Sequence, residues 1–233
     1  MKAEETVTVS VSGEDVLDVS VMPGTPRSYV GETVLVDVVV GPPDLLAGPF
    51  DVTVDWGDGT VESYSETFPG DEANPWVYYH KYNAAGSYTI KVSVMDEGTG
   101  ASGSGSALQD VKAPLSVDLS ASPTSGVLPL EVAFTCTALG GYLDYSWTLD
   151  PGDGSAPYGG TRTAEGSWTV KHTYSRAGTF TAKLTVTDAL GETLTREVRL
   201  GAGVPPVPVE APLLPILCPL AAGLVGFILS KLA

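Results

Sequence analysis

The sequence predicts an all-β body of two tandem β-sandwiches followed by a C-terminal hydrophobic helix, and three observations carry that prediction. Apolar residues come in short runs that alternate with polar ones, the pattern of strands with one buried face. A pattern met in the first half of the chain returns in the second, the mark of a duplicated unit. Residues 211–233 hold no acid and a single base, Lys231, and are mainly apolar. At 233 residues the chain has room for two sandwiches of ~90 residues plus appendages.

The first element is an N-terminal extra strand within residues 1–15. Thr6-Val7-Thr8-Val9-Ser10-Val11-Ser12 alternates cleanly and puts Val7, Val9 and Val11 on one face. Such a strand either pairs within its own sheet or augments the edge of a neighbouring subunit, which makes these three valines candidate partner contacts.

Residues 16–111 are the expected first sandwich and 115–200 the second, with Lys112-Ala113-Pro114 between them. So short a connection favours a stiff end-to-end rod. The repeat fixes the correspondence. Val34, Val36, Val38 and Val40 fall opposite Val132, Phe134, Cys136 and Ala138 at an offset of 98; Gly57-Asp58-Gly59 falls opposite Gly152-Asp153-Gly154 at 95. His80-Lys81-Tyr82 and Ala85-Gly86-Ser87-Tyr88 return as His172-Thr173-Tyr174 and Ala177-Gly178-Thr179-Phe180 at 92, with Asp96 returning as Asp188. The shrinking offset places the lost residues in loops, which absorb length changes more easily than paired strands do. Each copy shows about seven short segments separated by turn signals, the spacing of a sandwich. Gly98 to Ser106 is rich in Gly and Ser and reads as a mobile tip in the last hairpin of copy one.

These residues resemble the PKD (polycystic kidney disease) domain family, whose marks are a Trp-x-x-Gly-Asp-Gly-like turn, His-x-Tyr and a final hairpin with Gly-x-Tyr-x-Val. Copy two carries Tyr145-Ser146-Trp147, Gly152-Asp153-Gly154, His172-Thr173-Tyr174 and Gly178-Thr179-Phe180, with Asp150-Pro151 read as an insertion before the turn. Copy one has Val54 where the core Trp is expected and Trp56 directly before Gly57. The resemblance implies two immunoglobulin-like sandwiches. It also implies non-enzymatic spacer or adhesion modules, and histidines at strand starts whose ring nitrogens serve a loop backbone.

Residues 201–212 are Pro-rich and read as an extended stalk. Residues 213–232 are read as a transmembrane helix of about the length that spans a bilayer, anchored by Leu213, Leu214, Ile216, Leu217, Leu220, Leu224, Val225, Phe227, Ile228 and Leu229. Pro215 and Pro219 disturb its first half, and burial of the tail in a partner protein is the competing reading. On the positive-inside rule, Lys231 puts the extreme C-terminus inside and the rod outside, on a cell or virion surface. Met1 to Glu5 begin no hydrophobic run, so the expectation is either a processed N-terminus or insertion by the tail alone, as in a virion spike, turret or coat-associated protein.

The formal net charge is −16, and since residues 211–233 add only Lys231, the part ahead of them carries −17. That surface repels phosphate backbones and excludes nucleic-acid binding. The two cysteines, Cys136 in a core strand and Cys218 in the tail, are too far apart in the architecture to pair, so no disulfide framework is expected. The only histidines, His80 and His172, hold equivalent repeat positions, and no Ser/His/Asp set, paired-Cys metal site or phosphate-cradling loop is present. An enzyme is not expected, nor is a cofactor. Asp55, Asp58, Asp150 and Asp153 are candidate calcium ligands, although their spacing does not match an EF-hand loop and turn chemistry is the competing reading. For partner contact, Trp76, Tyr78, Tyr79 and Trp168 are aromatic candidates, and the loop from Phe68 to Trp76 is the best placed, with Pro69 and Gly70 expected to hold an aromatic on a projecting turn. The expected partners are a membrane through the C-terminal helix, and other surface or coat proteins including self, with carbohydrate as a second ligand class for exposed aromatics.

Overall fold

The computed structural model describes residues 16–203; the expected extra strand with Val7, Val9 and Val11, most of the stalk and the hydrophobic helix with its anchoring residues lie outside the described residues. The first half folds as β1 (Asp18–Pro23), β2 (Arg27–Tyr29), β3 (Thr33–Gly41), β4 (Phe50–Asp55), β5 (Val61–Glu66), β6 (Trp76–Lys81), β7 (Gly86–Asp96) and β8 (Ser102–Lys112). The second half repeats this as β9 (Ser116–Ser122), β10 (Ser125–Gly126), β11 (Leu130–Leu139), β12 (Tyr145–Asp150), β13 (Tyr158–Arg162), β14 (Gly166–Tyr174), β15 (Gly178–Thr187) and β16 (Thr193–Ala202). A three-stranded sheet β1-β3-β6 faces a five-stranded sheet β2-β8-β7-β4-β5, and β14-β11-β9 faces β10-β16-β15-β12-β13 in the same way. Among the described residues each half therefore has eight strands rather than about seven. The extra one is the short strand, β2 or β10, that pairs in parallel with the last strand of its half.

Alternation builds both cores. In β3 the inward Val34, Val36, Val38 and Val40 are buried, and Val132, Phe134, Cys136 and Ala138 of β11 are buried in the same way. Opposite them stand Phe50, Val52 and Val54 of β4 with Ile90, Val92 and Val94 of β7, matched by Tyr145 and Leu149 of β12 with Ala182, Leu184 and Val186 of β15. Each such side chain contributes about 1.5–3 kcal/mol on burial. Burial also pushes the Cys136 thiol up to about 11, so it packs as a small hydrophobe.

Three expectations need correction. The Gly/Ser-rich stretch is not a tip: Ser102 to Ser106 are the first half of β8, paired with β7, and only 97–101 form the turn. The glycines are there because β1 lies directly over them. A Cβ on Gly103 would sit 2.1 Å from the Leu17 carbonyl oxygen, and one on Gly105 2.1 Å from that of Val19. Next, Trp147 is only partly buried, since its neighbour across β13 is Gly160, which has no side chain to cover it; Trp168 packs on its other side at 5.3 Å. Finally, Asp150-Pro151 is not an insertion. Asp55-Trp56-Gly57-Asp58-Gly59 and Asp150-Pro151-Gly152-Asp153-Gly154 make the same hydrogen bonds residue for residue, with Trp56 standing where Pro151 does.

Candidate functional site

The repeated acidic turn is a lock between a loop and the strand behind it. In copy one, Asp55 Oδ1 accepts the Gly57 N–H and Asp58 Oδ1 accepts that of Thr60, while Asp58 Oδ2 lies 2.7 Å from His80 Nε2. In copy two, Asp150 accepts from Gly152, Asp153 Oδ1 from Ser155, and Asp153 Oδ2 lies 2.9 Å from His172 Nε2. The next tyrosine inward completes the lock: the Tyr82 hydroxyl donates to the Trp56 carbonyl and the Tyr174 hydroxyl to that of Pro151, each at 2.9 Å. Rings pack around each histidine, with Trp56 stacked on His80 at 4.8 Å and Tyr174 edge-on to His172 at 4.6 Å. The glycines are obligatory where the turn lies against the neighbouring strand of its own sheet, β7 in copy one and β15 in copy two. Gly152 has φ +79° and a Cβ there would lie 2.2 Å from the Thr181 carbonyl oxygen.

The histidines thus serve an aspartate side chain rather than a loop backbone, and they sit near the ends of β6 and β14 rather than at strand starts. Burial alone would raise the Asp153 carboxyl, but hydrogen bonds from Ser155 and His172 outweigh it and hold it down at about 2. Asp58 is lowered in the same manner by His80 and Thr60. One oxygen of each of the four candidate calcium ligands accepts a backbone N–H of its own turn. Among the described residues, no group of three or more His, Cys, Asp or Glu side chains is placed to hold a metal ion.

Of the aromatic contact candidates, Trp76 is corrected. It opens β6 with its ring against Phe50 at 5.4 Å, is only 8% exposed, and spends its indole N–H on the Phe68 carbonyl. Tyr78 is also buried and Trp168 half-buried. Phe68 is the exposed aromatic of that loop, at 78%, and Tyr79 is exposed on the outer face of β6. Among the described residues no helix is long and apolar enough to cross a membrane.

A polar junction that the sequence did not disclose joins the two halves. The Tyr142 hydroxyl, carried by the loop after β11, donates to the Asp110 carbonyl at 2.7 Å and accepts the Ser28 N–H at 3.1 Å; the Ser28 carbonyl also lies 3.1 Å away. Asp188 Oδ2 takes the Tyr29 hydroxyl of the first half together with the Tyr142 N–H of its own, while Oδ1 takes the N–H groups of Leu190 and Glu192. Burial opposes ionisation of Asp188, yet these hydrogen bonds, that of Tyr29 foremost, keep its carboxyl below the ordinary range. Gly141 N–H reaches the Ala113 carbonyl at 2.8 Å, the Tyr29 and Tyr142 rings meet edge to face at 5.7 Å, and the Arg27 guanidinium lies over the Tyr142 ring. The signal available in the sequence was a break in the repeat: Gly140-Gly141-Tyr142 has no equivalent in the Pro-rich loop 42–49 of copy one.

Residues 116–199 match the PKD domain family, so the second sandwich is a PKD domain. Among solved structures, the chain is similar to the PKD domain of an M14-like peptidase from Thermoplasmatales archaeon SCGC AB-540-F20. The identity is 16% and the TM-score 0.31, covering 42% of this chain and 93% of that one. It is similar to the PKD domain of the human VPS10 domain-containing receptor SorCS2 at 20% identity and TM-score 0.34, covering 48% and 85%. An I-band fragment of titin aligns over 80% of this chain and 65% of its own, at 13% identity and TM-score 0.49. A comparison with curated proteins finds no match.

Proposed function

We propose that the chain is a non-enzymatic structural spacer: a tandem pair of PKD-type sandwiches, held end to end, displayed from a membrane by residues 213–232 with the acidic body outside, and making contacts with other surface proteins. The observation that carries this reading is the junction. A flexible tether would leave the facing ends of the two sandwiches hydrated, whereas here Tyr142 is 5% exposed and its hydroxyl engages backbone groups of Ser28 and Asp110. Intramolecular domain interfaces are by default mobile, and burying polar groups in mutual hydrogen bonds is what opposes that mobility. A chain selected to hold two modules at a fixed angle has use for such a contact; a catalyst would concentrate its buried polar groups in a cleft.

Two measurements test the reading. Spin labels at Glu72 and Arg176, in a chain carrying Cys218→Ser, should give one narrow distance distribution, and a broad one overturns the spacer. Carbonate should fail to release the native chain from membranes, and external protease should clip the body from intact cells or particles. Release by carbonate overturns the anchor and leaves the spacer standing.

A further inference from the structure

The two sandwiches share their strand order but differ on one surface, the outer face of the three-stranded sheet. In the second sandwich that face is mainly polar: Ser120 on β9, Thr135 and Thr137 on β11, and Thr169 and Lys171 on β14, with Ala133 and, at the end of β11, the 47% exposed Leu139 as exceptions. The registers of the two sheets superimpose pair by pair, so each position has a counterpart in the first sandwich. There the same places are held by Met22, Asp37, Val39, Val77 and Tyr79, with Leu35 opposite Ala133. Met22, Val77 and Tyr79 are 46%, 39% and 59% exposed. A solvated sheet face needs no such cluster, as its own twin with a lone Leu139 at its end demonstrates, and contiguous exposed apolar surface of this kind marks a contact.

The face runs without a break into a cleft of about 570 Å³, because Ser20 and Val39 belong to both. The rim of the cleft carries Asp18, Asp71 and Glu72 and no base, and Asp37 stands in the middle row of the face between Met22 and Val77. The surroundings are acidic on balance, with Lys81 the base at the far end of the face, one row beyond Tyr79. Residues 16–112 hold fourteen acids against four bases, a net −10, whereas residues 113–203 hold nine against six, a net −3.

We propose that this face docks an extended, basic segment of another protein, with apolar side chains at every second position over Leu35, Val39, Val77 and Tyr79, and Lys or Arg side chains meeting Asp37 and the rim. From the Leu35 row to the Asp18 row is roughly 20 Å at about 6.8 Å for every two residues, so six or seven residues of partner cover it. Charge decides against the alternatives on the page. A second copy of this chain brings a net −16, and residues 1–15 bring four acids against one lysine. The proposal deepens the spacer reading by naming the class of partner, and it is tested by binding alone, so it fails independently of stiffness or membrane attachment.

The probe is a fluorescent seven-residue peptide alternating Lys and Val, titrated by anisotropy against the full chain in a neutral detergent, with Glu–Val and Lys–Ser peptides as controls. The variant M22S/V39T/V77T/Y79K installs the second sandwich's own residues at matching positions and so keeps the fold. The expected result is binding of Lys–Val to the wild type, weakened at least tenfold in the variant, with both controls at least tenfold weaker on the wild type. Equal binding of Lys–Val to wild type and variant, or no binding at all, overturns the proposal. So does Glu–Val binding as tightly as Lys–Val, and so does a variant whose only change is lost self-association, which assigns the face to a second copy.

Discussion

Asp153 illustrates how a turn residue becomes a stability term. Its carboxyl is held at about 2 by Ser155 and His172, and Asp58, Asp96 and Asp188 are lowered by similar hydrogen bonds. In an unfolded chain an aspartate titrates near 3.9, about two units higher than Asp153. A carboxyl lowered on folding stabilises the fold above its unfolded value and loses that contribution as pH falls toward its folded one. The melting temperature should therefore drop steeply between about pH 4 and pH 2, and Asp153→Asn should lower it at pH 7 while flattening the drop, as followed by circular dichroism. Gly152 and Gly154 separate two costs in the same turn. Both have positive φ, but a Cβ on Gly154 meets nothing nearer than Arg176 Nη2 at 4.0 Å, whereas one on Gly152 strikes the Thr181 carbonyl oxygen. Urea unfolding should show Gly154→Ala costing about 1–2 kcal/mol for the left-handed backbone alone. Gly152→Ala should cost more, by about 1–3 kcal/mol of added strain.

At the scale of elements, the strands were legible because a period of two survives in every long one: the four inward valines of β3 and their counterparts in β11 could be assigned to the core unaided. What escaped is instructive. β2 and β10 have three and two residues, too few to show a period, and their parallel pairing depends on where β8 and β16 end. Gly and Ser ordinarily mark loops, so Ser102 to Ser106 read as a tip; the reason for small residues lay in another strand, β1, crossing them at backbone distance. Trp76 read as exposed because Pro and Gly precede it, yet Phe50 lies behind it. The repeat offsets, by contrast, paired the acidic turns with each other and the histidines with each other, while leaving unseen that turn and histidine are partners. The β1 crossing makes its own prediction. Gly105→Val should push β1 off β8 and cost about 1–3 kcal/mol by overpacking. Hydrogen exchange should then accelerate in residues 17–23 while β11 and β15 of the other sandwich stay protected.

For the whole molecule, the junction decides whether the two sandwiches behave as one body. Removing the Tyr142 hydroxyl takes away its contacts to the Asp110 carbonyl and the Ser28 N–H, which still pair with each other across β2 and β8, so the loss is that of one hydrogen bond, about 0.5–1.5 kcal/mol. Tyr142→Phe should broaden the distance distribution between labels at Glu72 and Arg176, with little change in the denaturant midpoint of either sandwich taken alone. Beforehand only the break in the repeat at Gly140-Gly141-Tyr142 marked the place, since a single hydroxyl facing backbone groups leaves no periodicity and no motif of its own. The short parallel strands carry a further consequence when the ends of the chain are pulled. The chain enters each sandwich ahead of β2 or β10 and leaves after β8 or β16, so tension drags each parallel pair in opposite directions along its common axis. All its hydrogen bonds are then loaded in shear together instead of opening one after another. The first clasp has three residue pairs and the second two, each flanked by one more bond at either end. Under steady pulling in a single-molecule instrument, the sandwich nearer the C-terminus should yield at the lower force, acting as the fuse that protects the other.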